Sequence, residues 1–358
     1  MKTNIPRFLA VAAILFAATN LGRAQTTVTT DPVGYVTLTF AGTGGTTSQA
    51  ITFSGLGLAN PVSYQGNLDA VASVAISGTN HALLTSTSAA FTDNQYNSPN
   101  GSYFVEITSG SNAGITTDII ATTASNNSIT TYDDISSLVA AGNTFRIRPN
   151  WTIGSVFGAT NQAGLTAGTS TSADQILIYN GTGYDTYFYS SGGLAGVGWR
   201  KAGAGSVDQS GVKIEPDQGI IIKRFNAAST ANVNLVIQGA VKTGQSSIPI
   251  QPGANILGNL YAAGMTLSDS GLYTGTSTTG VMTGSSTSAD QILIWNGSGY
   301  DTYYYSSGGL AGVGWRKAGG GNTDASATPI SSGSAIVIQR NFATGFNWVV
   351  PQHPATFN

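Results

Sequence analysis

Apolar and β-branched residues fall in short runs along this chain, separated by Gly, Asn, Ser and Thr. That punctuation predicts strands joined by turns. The clearest case begins at DQILIYN (174–180), an apolar run that predicts a largely buried strand. Asn180-Gly181-Thr182-Gly183 predicts a tight hairpin, because Asn and Gly tolerate positive φ. YDTYFYS (184–190) predicts the returning strand. Its alternation puts Tyr184, Thr186 and Phe188 on one face and Asp185, Tyr187 and Tyr189 on the other. SSGGLAGVG (190–198) is too glycine-rich for an element and predicts a connection, after which Trp199-Arg200-Lys201 opens another strand.

The whole pattern recurs. Residues 286–321 match residues 170–205 at an offset of 116 without a gap, with 32 of 36 positions identical. The next 19 residues keep only six identities, among them Ile220/Ile336 and Ile222/Ile338, spaced by a strand's period. One fold is therefore expected twice.

The rest of the chain is read around that repeat. VGYVTLTF (33–40) and AITF (50–53) predict the first strands of a first module. NVNLVIQG (232–239), a KTGQSS turn and IPI (248–250) predict the start of a second, with Ile51 set on Ile248, Phe53 on Ile250 and Gly42 on Gly239. Residues 66–150 have no counterpart in the second module. SYFVEITSG, ITTDIIATT, NSITTYD and NTFRIRP predict four short strands there, and DDISSLVAAG (133–142) a single capped helical turn ending in Gly. WTIGSVFG (151–158) is set on NILGNLYA (255–262), so the first module resumes at Trp151. FNWVV near the C-terminus predicts a last strand before a Pro-containing tail. The expected fold class is all-β: two homologous sandwich-like or barrel-like modules, the first interrupted by a small β-barrel. The expected boundaries are 25–65 plus 151–230 for module one, 66–150 for the insert and 231–358 for module two.

Residues 1–24 read as a secretory signal. Lys2 and Arg7 precede the apolar FLAVAAILFAA, and Gly22-Arg23-Ala24 supplies a small-residue cleavage site. The apolar run is too short to span a bilayer. Three of the 14 basic residues and none of the 16 acidic ones lie in this segment, so the remainder carries 11 against 16, a net of −5. A weakly acidic chain with 8% charged residues argues against a nucleic-acid or anionic-lipid partner. There is no cysteine, which excludes disulfides and thiolate metal sites. Strands mostly shorter than the roughly 9–11 residues of a transmembrane barrel argue against that class as well.

DPVGYVTLTF, YFVEITSG with a following Ala-Gly, DDISSLVAAGNTFRIRP running into WTIGSVFG, and ILIYN…TYFY…GWRKAG with a closing GIIIKR have a joint likeness elsewhere. Together they resemble a family of exported all-β proteins of unassigned function, found as multiple paralogues in verrucomicrobial-type bacteria. The resemblance covers essentially the whole chain after the signal. It implies export and architecture, and no catalytic residue or ligand.

Candidate chemistry is sparse. The two histidines, His81 in a predicted insert loop and His353 in the tail, cannot form a histidine metal cluster. Asp174/Asp290 and Asp185/Asp301 have the residue type for glycoside hydrolysis, but each recurs in both modules beside a hairpin, which favours a structural role. GGLAGVG lacks the spacing, the lysine and the following helix of a phosphate loop. The functional lead is the duplicated aromatic set Tyr187, Tyr189 and Trp199, recurring as Tyr303, Tyr305 and Trp315 beside Arg200 and Arg316. On an open sheet face these would stack on sugar rings; buried, they would be core. No cofactor is implied. The expected function is that of an exported, non-catalytic structural or adhesive protein, with a polysaccharide or cell-envelope component as partner. The alternatives are a carbohydrate-binding protein using the aromatic face and, further off, a polysaccharide-active enzyme.

Overall fold

The computed structural model describes residues 31–45, 49–99, 101–225 and 229–351. The expected signal (1–24), the polar lead up to residue 30 and the tail with His353 lie outside the described residues. The described chain is nearly all β. It begins with β1 (Val33–Phe40) and β2 (Ala50–Ser54), then β3 (Tyr64–Asn67), β4 (Ala70–Ile76), β5 (Thr79–Thr85), β6 (Tyr103–Ile107), β7 (Thr116–Thr123), β8 (Ser128–Thr131) and β9 (Thr144–Pro149). Next come β10 (Trp151–Thr152), the one-turn helix α1 (Ile153–Phe157), β11 (Gln175–Tyr179), β12 (Tyr184–Ser191), β13 (Val197–Lys201), β14 (Lys213–Ile214), β15 (Ile220–Arg224) and β16 (Val233–Ala240). The remainder is β17 (Ser246–Ile250), β18 (Gly253–Gly258), β19 (Met265–Thr266), β20 (Gln291–Trp295), β21 (Tyr300–Ser307), β22 (Val313–Lys317), β23 (Pro329–Ile330), β24 (Ala335–Arg340) and β25 (Phe346–Val350).

Two five-stranded antiparallel sheets hold the repeat, in the orders β13-β12-β11-β15-β2 and β22-β21-β20-β24-β18. The same residues pair at the same offset: Ile176 opposes Tyr187 and Ile222, and Ile292 opposes Tyr303 and Ile338. Period-two alternation gives each sheet two apolar faces. One face of each lies on its own core, where Ile176, Ile220, Ile222 and Trp199 are fully buried in the first module and Ile292 and Ile338 in the second. The opposite faces share a third core of Phe53 and Ile221 with Ile256 and Val337.

A two-stranded ribbon backs each sheet, β1 with β16 and β17 with β25. This corrects the expected module boundary at 231. β16 closes the first module on β1, and the second module starts at β17. The counterpart of VNLVI (233–237) is FNWVV (346–350), which has the same in-out alternation: Leu235 and Ile237 face inward like Trp348 and Val350. The match of Trp151 is corrected likewise. β10 pairs Trp151 with Ile214, and β19 pairs Met265 with Ile330, so Trp151 corresponds to Met265 and not to Asn255.

The insert forms one seven-stranded sheet, β3-β9-β6-β7-β8-β5-β4, curled around a core of Leu68, Leu84, Val105, Ile107, Ile129, Phe145 and Ile147. Its first and last strands are consecutive in the chain and joined only by Leu68 and Asp69, so the curl is built into the connection. The four expected strands are β6 to β9. Three more precede them, starting at Tyr64, and His81 lies buried on β5 instead of in a loop. Its Nδ1 sits 3.0 Å from the Thr131 carbonyl and 2.8 Å from that of Tyr132. The expected helical turn at 133–142 is a pair of turns without a helix: Asp134 accepts from Ser136 N at 3.1 Å, which tightens the chain before a helix can begin.

The two modules meet reciprocally. Gly55 N donates to Gly333 O at 3.1 Å, and Gly258 N donates to Asp217 O at 2.9 Å. In the pairing register Gly55 corresponds to Gly258 and Asp217 to Gly333, so the second bond is the first with the modules exchanged. A Cβ on Gly55 would fall 2.7 Å from the Gly258 backbone, and one on Gly258 2.7 Å from that of Gly55. Only glycine permits this approach.

Candidate functional site

The duplicated aromatics are interior. Trp199 is fully buried, and its indole donates to the Gly158 carbonyl at 2.8 Å. Tyr187, Tyr303 and Trp315 are buried with it in the two module cores. Tyr189 and Tyr305 are partly buried, each edge-on to its tryptophan, with ring centroids 5.2 and 5.5 Å apart. Tyr305 is further covered by Tyr273, stacked at 3.5 Å. The structure therefore does not offer these side chains as an open stacking surface: the face that carries them is the face that packs the module core. Burial also pushes the Tyr187 phenol up to about 12.

The arginines are turn supports. Arg200 donates to the carbonyls of Ala195, Trp199 and Val197 at 2.6, 2.7 and 3.0 Å. Arg316 does the same for Ala311, Trp315 and Val313. Each guanidinium thereby braces the glycine-rich connection, which contains a 3₁₀ turn with Leu194 or Leu310 fully exposed at its tip. The duplicated aspartates are structural too. Asp174 is buried against Arg224 at 3.0 Å, and Asp290 against Arg340. Asp185 and Asp301 bridge their hairpins to Lys201 and Lys317, at 2.7 and 2.8 Å. Hydrogen bonds from those lysines hold both carboxyls below the usual carboxylate range.

The polar groups left over converge where the insert meets the modules. A cleft of about 440 Å³ is lined by Asp118, Tyr132 and Asp133 of the insert, by Lys213, Glu215, Pro216 and Asp217 before β15, and by Pro249 of β17. Four carboxylates and one lysine line it. Lys213 bridges Asp118 and Glu215, the latter at 2.7 Å. Burial alone would lower the Lys213 ammonium, but its bonds to Asp118 and Glu215 outweigh this and raise it. Asp118 also accepts from Asn150 Nδ2 at 2.9 Å, and Asp133 from Thr117 Oγ1 at 2.7 Å. Asp217 has no ion pair among the described residues. Burial, with Glu215 and Asp118 nearby, pushes its carboxyl up to about 6. Tyr132 stands at the cleft 63% exposed.

A second cavity of about 270 Å³ adjoins this junction, around Glu106, Arg146, Arg148 and Lys242. Burial would raise the Glu106 carboxyl, but Lys242 and Arg148 outweigh it and hold it low. Through Lys242, Glu106 ties the insert to the link between β16 and β17. No group of three His, Asp or Glu side chains among the described residues is arranged to hold a metal ion. Sequence reasoning passed over Asp118, Tyr132, Asp133, Lys213, Glu215 and Asp217. The one available signal was local density: Lys213, Glu215 and Asp217 occupy alternate positions in a chain with few charges. No family model matches the chain, and no curated protein or solved structure matches it either.

Proposed function

We propose that this chain is a non-catalytic adhesive protein of the cell exterior, and that it contacts polysaccharide at the junction cleft. The observation that carries this reading is Tyr132, an exposed ring beside four carboxylates in a cleft of about 440 Å³. A ring face offers a stacking platform for a sugar, and carboxylate oxygens accept from its hydroxyls. The duplicated face cannot take this part, because its aromatics are consumed by the cores. Export rests on the N-terminal pattern and on the resemblance drawn from sequence. The test is retention on insoluble cell-wall glycans. Tyr132→Ala is expected to keep the parent's melting temperature and lose at least tenfold in retention. Equal retention of both proteins removes the cleft from the function.

The raised Asp217 supports a second reading, in which the cleft cleaves the glycan it holds. A carboxyl raised to about 6 is suited to protonate a glycosidic oxygen in mildly acidic solution. Release of reducing ends from those glycans, abolished by Asp217→Asn, would decide for an enzyme.

A further inference from the structure

We propose that the cavity around Glu106, Arg146, Arg148 and Lys242 binds an oxyanion, either an inorganic ion such as sulfate or the carboxylate of an acidic sugar. The site is separate from the junction cleft and stands whether or not the cleft holds a glycan. Its walls come from two directions. β6 and β9 pair Glu106 with Arg146 and Phe104 with Arg148, so period-two alternation sets Glu106, Arg146 and Arg148 on one face of the insert sheet. The link between β16 and β17 faces them with Lys242, Thr243 and Gly244. The cavity between measures about 270 Å³, a little under the roughly 300–1,000 Å³ of pockets for drug-sized ligands, and so fits a small ion or a single sugar unit.

The charge balance of the lining points to an anion. Three cations and one carboxylate line the cavity, a local positive surplus in a chain whose net charge is negative. Elsewhere the repeated modules match cation to carboxylate one for one: Arg224 with Asp174, Arg340 with Asp290, Lys201 with Asp185 and Lys317 with Asp301. Glu106 accepts from Arg148 Nε at 3.4 Å and from Lys242, so a single carboxylate serves two nearly buried cations, 3% and 11% exposed. Cations gathered away from water repel one another, and an anion among them relieves that repulsion. The donors also have the right form. A guanidinium stays charged, and its planar fork matches the oxygens of a carboxylate or sulfate, while a lysine adds a point charge. Arg146, Thr243 and Gln245 are only partly buried and Gly244 is exposed, which gives the cavity a mouth to solvent.

The test is isothermal titration calorimetry of the purified protein with sodium sulfate and with sodium glucuronate, at constant ionic strength, with sodium chloride and glucose as controls. Calorimetry is preferred to a melting shift, because sulfate stabilises folded proteins by exclusion from their surface. One saturable site for sulfate or glucuronate, absent for chloride and glucose, is expected. Tighter binding of glucuronate assigns the site to an acidic sugar, and tighter binding of sulfate assigns it to an inorganic ion. Arg146→Gln removes one fork and should weaken binding at least about tenfold, the loss of a charge-assisted pair. Should that variant misfold, Thr243→Glu adds a second carboxylate to the lining and should have the same effect. Titrations in which neither oxyanion saturates overturn the proposal. So does binding that neither variant weakens, since that anion sits elsewhere.

Discussion

The two modules share their sheet order, their register and the role of nearly every repeated side chain, yet they part most at one connection. After Gly258 the second module reaches β19 in a few residues, whereas after Gly55 the first runs through the whole insert before β10. The shared parts are spent on structure, from the tryptophan cores to the arginine-braced loops. The unshared part brings Asp118, Tyr132 and Asp133 to Lys213, Glu215 and Asp217. Within this molecule, near-identity marks scaffold, and the accessible polar chemistry collects where the symmetry is broken.

The comparison can be broken hardest at the buried ion pairs. Arg340→Met should cost about 3–5 kcal/mol, because it strands the Asp290 carboxylate in the core. Arg224→Met should cost about 1 kcal/mol less. Asp174 would keep the Ser229 hydroxyl at 2.6 Å besides two backbone donors, while Asp290 would keep only the amides of Met282 and Asn341. Urea unfolding of both variants measures the difference, provided the transition is two-state. Equal costs would mean that the hydroxyl contributes nothing.

A smaller effect is expected at the module interface. Gly55→Ala and Gly258→Ala each press a methyl into the other module's backbone, at about 1–3 kcal/mol apiece. Because the contact is reciprocal, the two losses should agree closely. A variant that unfolds like the parent while its counterpart does not would show that the reciprocity is geometric without being energetic.

The smallest effect is the titration of Asp217. Its folded carboxyl sits near 6, above its ordinary 3.8, so the folded chain holds that proton more tightly than the unfolded one. Stability should therefore fall as pH rises from about 4 to about 6 and stay level beyond. Asp217→Asn should remove that slope and be the more stable protein at neutral pH, as read from melting temperatures across the range. A slope that persists in the variant assigns it to another group.

Much of the fold was legible in the residues. The gapless offset of 116 fixes strand faces, since one inserted residue would turn Ile176 and Ile222 out of their core. Which face becomes core was not legible: Tyr187 and Tyr189 alternate correctly whether a second layer covers them or not. The start of module two was misplaced because VNLVI and VTLTF look alike as isolated strands, and only pairing separates the first ribbon from the second. β4 and β5 escaped notice because alanine and serine carry little strand preference, although Ser77-Gly78 signalled the hairpin. The cleft was out of reach for another reason. Asp118 and Lys213 are 95 residues apart, and no local pattern brings them together.

The reciprocal contact at Gly55 and Gly258 has a consequence for symmetry. Two separate, identical subunits meeting this way would have to accept any insertion in both halves at once. Carried on one polypeptide, the halves are free to differ, and a near-symmetric pair of modules gains a front and a back. Its copy number then follows: two scaffolds to each molecule, but a single junction.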